Sequence, residues 1–151
     1  MYVGFDIPIS VFTDGYKNEF EKICKAKKLD ENSRPYILGV IQGGKYQDLR
    51  KHCAEELAKI GFDGFGYGGW PIDENGDFDY ESAKTIVENT PNGYLIYGLG
   101  VGKPEEIVKL NKMGFNIFDC VLPTRDARHG RLYVYNADSI ENIDVERDNF
   151  Y

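Results

Sequence analysis

The strongest constraint on the fold is a repeat of short apolar runs, each closed by glycine or proline and separated by segments with helical periodicity. Runs of this form occupy residues 2–8, 36–41, 65–67, 94–97 and 115–118. Short apolar runs with a glycine or proline at their ends are typical of buried parallel strands, whose loops follow their carboxyl ends. The sequence therefore predicts five strands.

Amphipathic segments between these runs predict helices over residues 14–29, 46–60, 80–89 and 104–113. In the second of them, the predicted apolar face consists of Leu49, Cys53, Leu57 and Ile60. Pro104 suits a first helical position, and the acidic residues after it suit a first turn. Alternation of strand and helix, four times with a fifth strand, predicts an α/β fold with a parallel sheet.

The size of the chain limits which α/β architecture is available. A closed (β/α)8 barrel takes about 200 residues at minimum, and the chain has 151. With about five βα units, it is therefore either a doubly wound sheet or a partial (β/α)8 TIM-type barrel whose missing strands come from elsewhere. Nothing in the sequence resembles a linker, so residues 1–151 are expected to form a single domain.

Composition excludes several classes of protein. The formal net charge of −7 argues against a general coat for nucleic acid but leaves room for a local basic patch. Three widely spaced cysteines and two histidines argue against a disulfide framework or a zinc site built by this chain alone. No apolar run approaches the roughly 20 residues of a membrane span, and the first residues lack the basic region of a signal peptide. We therefore expect a cytoplasmic protein without a membrane partner.

Polar residues and glycines gather where the predicted strands end, the edge at which α/β proteins bind ligands. They are Asp6, Gln42, Gly43, Gly44, Gly68, Gly69, the segment 100–103 and Asp119. Taken singly, the glycines would only shape loops, and the acids would cap helices. Together they predict a common pocket.

Individual residues at these ends allow more than one role. Asp119 is either a cap for the following turn or a carboxylate acting as nucleophile or electrostatic stabiliser. Gln42 can both donate to and accept from a purine edge, or be an ordinary loop residue. Lys103, with the amides ahead of Pro104, suits a phosphate contact, although the spacing is not that of a P-loop. Trp70 is a candidate for stacking on a base.

A basic stretch, residues 124–131, interrupts the acidic chain. Such a run is usually a solvated loop. Beside the pocket, it would instead position a nucleic-acid backbone.

Four stretches carry a resemblance to a known family: residues 39–44 (GVIQGG), 60–69 (IGFDGFGYGG), 98–104 (GLGVGKP) and 118–125 (FDCVLPTR). In this order they resemble the tRNA-guanine transglycosylases, or queuine tRNA-ribosyltransferases. The similarity is strongest over residues 38–133. The family fold is a (β/α)8 barrel with a zinc-bearing insertion near its carboxyl end.

The resemblance implies a role for particular residues. Asp119 would attack C1′ of the wobble guanosine of tRNA, forming a covalent intermediate and expelling guanine. The residues that would bind the guanine or 7-deazaguanine base are Asp6, Gln42, Gly68, Gly69, Leu99 and Glu74. Those that would contact tRNA are Gly100, Val101, Gly102, Lys103, Thr124, Arg125 and Arg128.

The chain also departs from the family pattern. The family's first barrel strands, its proton-accepting aspartate and its zinc ligands have no counterpart in the sequence, so no cofactor is expected. Trp70 and Pro71 stand where bacterial members carry small or aliphatic residues, which predicts a different base. We therefore expect a half-barrel that carries the nucleophile, which is either completed in a homo- or hetero-oligomer or is a fragment or degenerate relative. The alternatives are a non-catalytic nucleobase- or RNA-binding module and an unrelated phosphate-binding α/β protein.

Overall fold

The computed structural model describes residues 9–73, 75–132, 134–135 and 149–150. The helices are α1 (Ile9–Ala26), α2 (Gln47–Ile60), α3 (Tyr80–Glu88), α4 (Pro104–Met113) and α5 (Leu122–Arg128). The strands are β1 (Leu38–Ile41), β2 (Gly64–Tyr67), β3 (Leu95–Gly98), β4 (Ile117–Phe118), β5 (Val134–Tyr135) and β6 (Asn149–Phe150).

The first four strands form one parallel sheet in the order β1-β2-β3-β4, so neighbours in sequence are neighbours in space. A helix follows each strand, which confirms the predicted α/β class and parallel sheet. The last two strands pair antiparallel as a separate ribbon. The predicted strand over residues 2–8 lies outside the described residues.

The hydrophobic core lies on one face of the sheet, between the strands and helices α2 to α4. Its members include Ile41, Phe65, Tyr67, Ile96, Cys53, Leu57, Ala83, Ile86 and Leu110. On the opposite face, Val40 is 39% exposed, and Leu95 and Tyr97 are half-buried. Because successive side chains of a strand alternate between faces, one face of the described sheet is packed and the other is open.

Local signals position the helix ends as predicted. Helix α3 begins at Tyr80, after the N-cap residue Asp79, whose carboxylate accepts a hydrogen bond from the Ser82 amide at 2.9 Å. Helix α4 begins with Pro104 and two acidic residues. Helix α1 differs from its prediction, since it begins at Ile9 and ends at Ala26 rather than spanning 14–29.

The apolar face predicted for α2 is wrong at its first position. Leu49 is 50% exposed, whereas its neighbour Arg50 is 1% exposed. The buried face is Arg50, Cys53, Ala54 and Leu57, a regular helical spacing that begins with a charged residue. Hydropathy alone favours Leu49 at this buried position, because Leu49 is the apolar neighbour of the charged Arg50.

Two polar segments, the basic stretch 124–131 and the acidic segment 73–79, contain local structure. Of the basic stretch 124–131, the first five residues belong to α5. In the acidic segment 73–79, the Asp73 amide donates a hydrogen bond to the Asp77 carbonyl at 2.8 Å. Ile72 and Phe78 form an isolated antiparallel β-bridge beside it. Among the described helices, none combines the length and apolar character needed to cross a membrane.

Candidate active site

The loops after β1 and β2 meet at the carboxyl edge of the sheet. The Gln42 side chain lies directly against Gly68, where an added Cβ would be 2.8 Å from Gln42 Oε1 and 2.4 Å from the Ile41 carbonyl oxygen. Only glycine fits there. A Cβ on Gly69, whose φ is +87°, would lie 3.9 Å from the same Gln42 oxygen. The structure thus brings together three of the predicted base-binding residues.

Arg50 hydrogen-bonds to both of these loops, a role that the sequence did not predict. Its guanidinium donates to the carbonyl oxygens of Gly44 at 2.7 Å, Ile41 at 3.3 Å and Gly68 at 3.1 Å. It also stacks over the Tyr67 ring, 4.6 Å from the centroid. The available signal was its place three residues before Cys53, on the buried stripe of α2.

Leu99 adds an apolar wall on the open face of the sheet. A Cβ added to Gly66 would lie only 2.6 Å from Leu99 Cδ1. Leu99 therefore covers β2 two residues before Gly68.

Asp119 directly follows β4 and is exposed. Its Oδ1 accepts a hydrogen bond from the Gly100 amide at 3.1 Å, and its carboxylate accepts a second from the Tyr97 hydroxyl. The Gly100 bond first, and then the Tyr97 bond, hold the pKa of Asp119 below its usual value. The residue that caps α5 is Val121, with no side-chain bond. Asp119 is thus an ionised carboxylate held by two donors, which suits a nucleophile.

The loops after β3 and β4 pack tightly beside Asp119. A Cβ on Gly102 would fall 1.7 Å from Cys120 Sγ, so any other residue would push these loops apart. Val101 is 2% exposed and belongs to the core, so its side chain is not available to a ligand. Lys103 pairs with Glu106 at 3.3 Å, and burial raises the pKa of that glutamate.

The family model described as queuine tRNA-ribosyltransferase matches residues 17–150. The chain belongs to this family.

Curated relatives named queuine tRNA-ribosyltransferase extend the match. The chain is 42% identical over 136 residues to the protein of Actinobacillus pleuropneumoniae, covering 86% of this chain and 36% of the relative. It is 40% identical over 114 residues to that of Acinetobacter baumannii, covering 75% and 30%. It is 39% identical over 125 residues to that of Halothermothrix orenii, covering 82% and 34%. The chain spans about a third of the length of these relatives.

The remaining predicted site residues of this queuine tRNA-ribosyltransferase family member fall into two groups. Thr124, Arg125 and Arg128 are exposed on α5, immediately after Asp119, and Gly100 has open space around its α-carbon. Asp6 and Glu74 lie outside the described residues.

Two further features bear on what the site can hold. Trp70, directly after Gly69, is 81% exposed and can receive a stacked ring. In the ranges that the structure describes, no three histidine, cysteine, aspartate or glutamate side chains cluster closely enough to hold a metal ion.

Proposed function

We propose that this chain carries the nucleophile part of a tRNA-guanine transglycosylase site, which exchanges a guanine or 7-deazaguanine base at the wobble guanosine of tRNA. The observation that carries the proposal is Asp119. Its exposed carboxylate is held by Gly100 and Tyr97 on the same sheet edge as Gln42 and Gly69.

The chemistry proposed for Asp119 is a double displacement. Its carboxylate attacks C1′ of the ribose, forming a C–O bond while the C1′–N9 bond breaks and its electron pair leaves with the base. An incoming base then attacks C1′, which returns the electron pair of the C–O bond to Asp119; the N9 proton that this base gives up balances the proton taken up by the expelled base. Two inversions give net retention, and the positive charge that develops on the ribose favours an adjacent ionised carboxylate.

The base would lie against the loops after β1 and β2. The Gln42 carboxamide can donate to and accept from adjacent positions of a purine edge, and Gly69 presents backbone without a side chain in the way. Leu99, lying over Gly66, would pack against the ring. Asp6 and Glu74 complete this proposed set.

Helix α5 would hold the RNA backbone. Arg125 and Arg128 are three residues apart, so they share one face of the helix, and both are exposed. Arginine pairs well with phosphate oxygens. The basic face next to the nucleophile thus supports tRNA as the substrate of an otherwise acidic chain.

We propose further that the described sheet is part of a (β/α)8 barrel. Val40, Leu95 and Tyr97 lie on the open face, where a barrel interior would be. An exposed apolar sheet face favours association, so strands from outside the described sheet, in a homo- or hetero-oligomer, would cover it.

Labelled guanine exchange into unmodified tRNA tests this function, with Asp119→Asn as the key variant. We expect incorporation and a covalent RNA adduct by the 151-residue chain, both lost in the variant by a factor of at least about a thousand. The control is Asp77→Asn, an exposed aspartate in the loop before α3. Guanine binding without exchange or adduct would contradict the transferase and favour a nucleobase-binding module.

A further inference from the structure

Arg50 is the largest of the fully buried side chains in the described part of the protein. None of the ion pairs among the described residues involves it. A buried cation is costly, and an apolar side chain of similar volume usually stabilises a core as well or better. Stability alone is therefore a poor reason for an arginine at this position.

The guanidinium nitrogens of Arg50 all donate to the same kind of acceptor, a backbone carbonyl oxygen. Nε, Nη1 and Nη2 each donate to a carbonyl oxygen, belonging to Gly44, Ile41 and Gly68 respectively. The Ile41 oxygen lies at the end of β1, and the other two lie in the loops that contain Gln42 and Gly69. The planar guanidinium has a fixed fork of donors, so it sets the separation between the loops as well as the direction of their peptides.

The first loop is also tied to the backbone of α2 around Arg50. A Cβ on Gly43 would lie 2.7 Å from Arg50 Cγ, so this loop rests on the arginine stem. The Tyr46 amide donates to the Gly43 carbonyl at 3.1 Å, and the Arg50 amide donates to the Tyr46 carbonyl at 3.1 Å. Tyr67 supports the guanidinium from beneath, so the arginine has little freedom to move.

The bond from Arg50 to Gly68 determines how Gly69 meets a ligand. In a trans peptide, the carbonyl of one residue and the N–H of the next point in opposite directions. Since the Gly68 carbonyl faces the guanidinium, the Gly69 N–H points away from it. The same bond polarises the peptide, which makes that N–H a better donor.

We infer that Arg50 is a positioning residue, which holds the loops after β1 and β2 in the arrangement that binds a purine base. The inference rests on the base-binding role in the proposed function. Arg50 itself does not touch the base in this arrangement. It acts through the direction of the Gly68–Gly69 peptide and through the contact of Gln42 with Gly68.

Two variants of Arg50 test the inference, each in the full 151-residue chain. Arg50→Lys keeps the charge but cannot span three carbonyls, and Arg50→Met removes the charge at similar volume. The matched control is Arg34→Lys, because Arg34 is also an arginine that joins separate segments, and its side chain is 20% exposed. It bonds Asp63 at 2.6 and 2.8 Å at the opposite, amino edge of the sheet.

Three measurements are made on each variant: guanine affinity by calorimetry, urea unfolding, and hydrogen exchange of the Gly68 and Tyr46 amides. In the wild type these amides bond to Ile41 and Gly43 at 2.9 and 3.1 Å. We expect both Arg50 variants to exchange faster at these amides and to lose guanine affinity by about tenfold or more. Arg34→Lys should lose stability while keeping wild-type affinity and exchange at both amides.

Wild-type exchange at Gly68 and Tyr46 in a folded Arg50→Lys protein would overturn the inference. So would a loss of affinity no greater than that of Arg34→Lys. If Arg50→Met does not fold, Arg50→Lys decides. If the wild type binds no guanine, the proposed function fails, and the exchange measurement still decides whether Arg50 holds the two loops.

Discussion

The hydroxyl of Tyr97 donates a hydrogen bond to the carboxylate of Asp119, joining β3 to the residue after β4. Tyr97 pairs with Ile117 in the parallel register, so Asp119, two residues further along, projects on the same side of the sheet. The carboxylate in turn raises the pKa of Tyr97, which keeps the phenol protonated as a donor. The two residues form one unit at the proposed reaction centre.

Tyr97→Phe should raise the pKa of Asp119. Removing a donor to the charged form moves the pKa back toward its usual value, while the Gly100 bond remains. The acid limb of guanine exchange should move to higher pH by the same amount, because the nucleophile must be ionised. Carbon NMR titration of the Asp119 carboxyl measures the change without relying on activity. Tyr36→Phe, at an exposed tyrosine, is the control, and an unchanged titration in Tyr97→Phe would contradict the prediction.

Gly102→Ala should destabilise the protein by about 1–3 kcal/mol, because its Cβ would overlap Cys120 Sγ. Adding Cys120→Gly should recover most of this loss, since both clashing side-chain atoms are then absent. Urea unfolding of the two single variants and the double variant measures the coupling. Gly15→Ala, at a helical position with open space, should instead stabilise by about 0.5–1 kcal/mol. Additive effects at residues 102 and 120 would show that the predicted contact is wrong.

The Arg34–Asp63 pair should make stability depend on pH on the acid side. Hydrogen bonding to Arg34 lowers the pKa of Asp63 in the folded protein. The pair therefore stabilises the fold fully above the pKa of Asp63 in the unfolded chain, about 4. This contribution is lost as pH falls through the pKa of Asp63 in the folded protein. Asp63→Asn should lower the free energy of unfolding at pH 7 and reduce its difference between pH 7 and pH 3. Urea unfolding at both values checks this, with Asp77→Asn as control. An equal pH dependence in Asp63→Asn and wild type would refute it.

Arg125→Gln with Arg128→Gln should weaken tRNA binding and its salt dependence. Each lost phosphate contact reduces the slope of log affinity against log salt by about 0.7–0.9, depending on whether the RNA is single- or double-stranded. Two contacts should therefore reduce it by about 1.4–1.8. Filter binding between low and high salt gives the slope. Lys51→Gln with Lys84→Gln removes two exposed lysines that pair with glutamates on α2 and α3, and should leave the slope unchanged. The same slope in both double variants would count against α5 as the RNA-binding face.

Residue patterns within each segment were enough to predict the order and class of α1 to α4 and β1 to β4, but not α5, β5 or β6. Apolar runs closed by glycine correspond to β1, β2 and β3, and Pro104 and Gly114 bound α4 as predicted. These signals are local, because a strand end or a helix cap depends on residues within a few positions. They also placed Gln42, Gly68 and Gly69 at one edge, since the carboxyl ends of parallel strands lie on the same side.

Contacts between distant residues required the tertiary structure. Arg50 and Leu49 are neighbours in the chain, yet packing against Tyr67 and three carbonyls buries the arginine and leaves the leucine exposed. Hydropathy cannot predict this, because the compensation for a buried charge comes from residues up to 18 positions away.

The sequence by itself therefore determined the alternation of strands and helices, the family, and the residue types at the sheet edge. The tertiary structure decided which of them touch: Tyr97 with Asp119, Gly102 with Cys120, and Arg50 with both base-binding loops. The physical reason is that periodicity and capping are short-range, whereas these hydrogen bonds and close contacts exist only once neighbouring strands bring their ends within a few ångströms of each other.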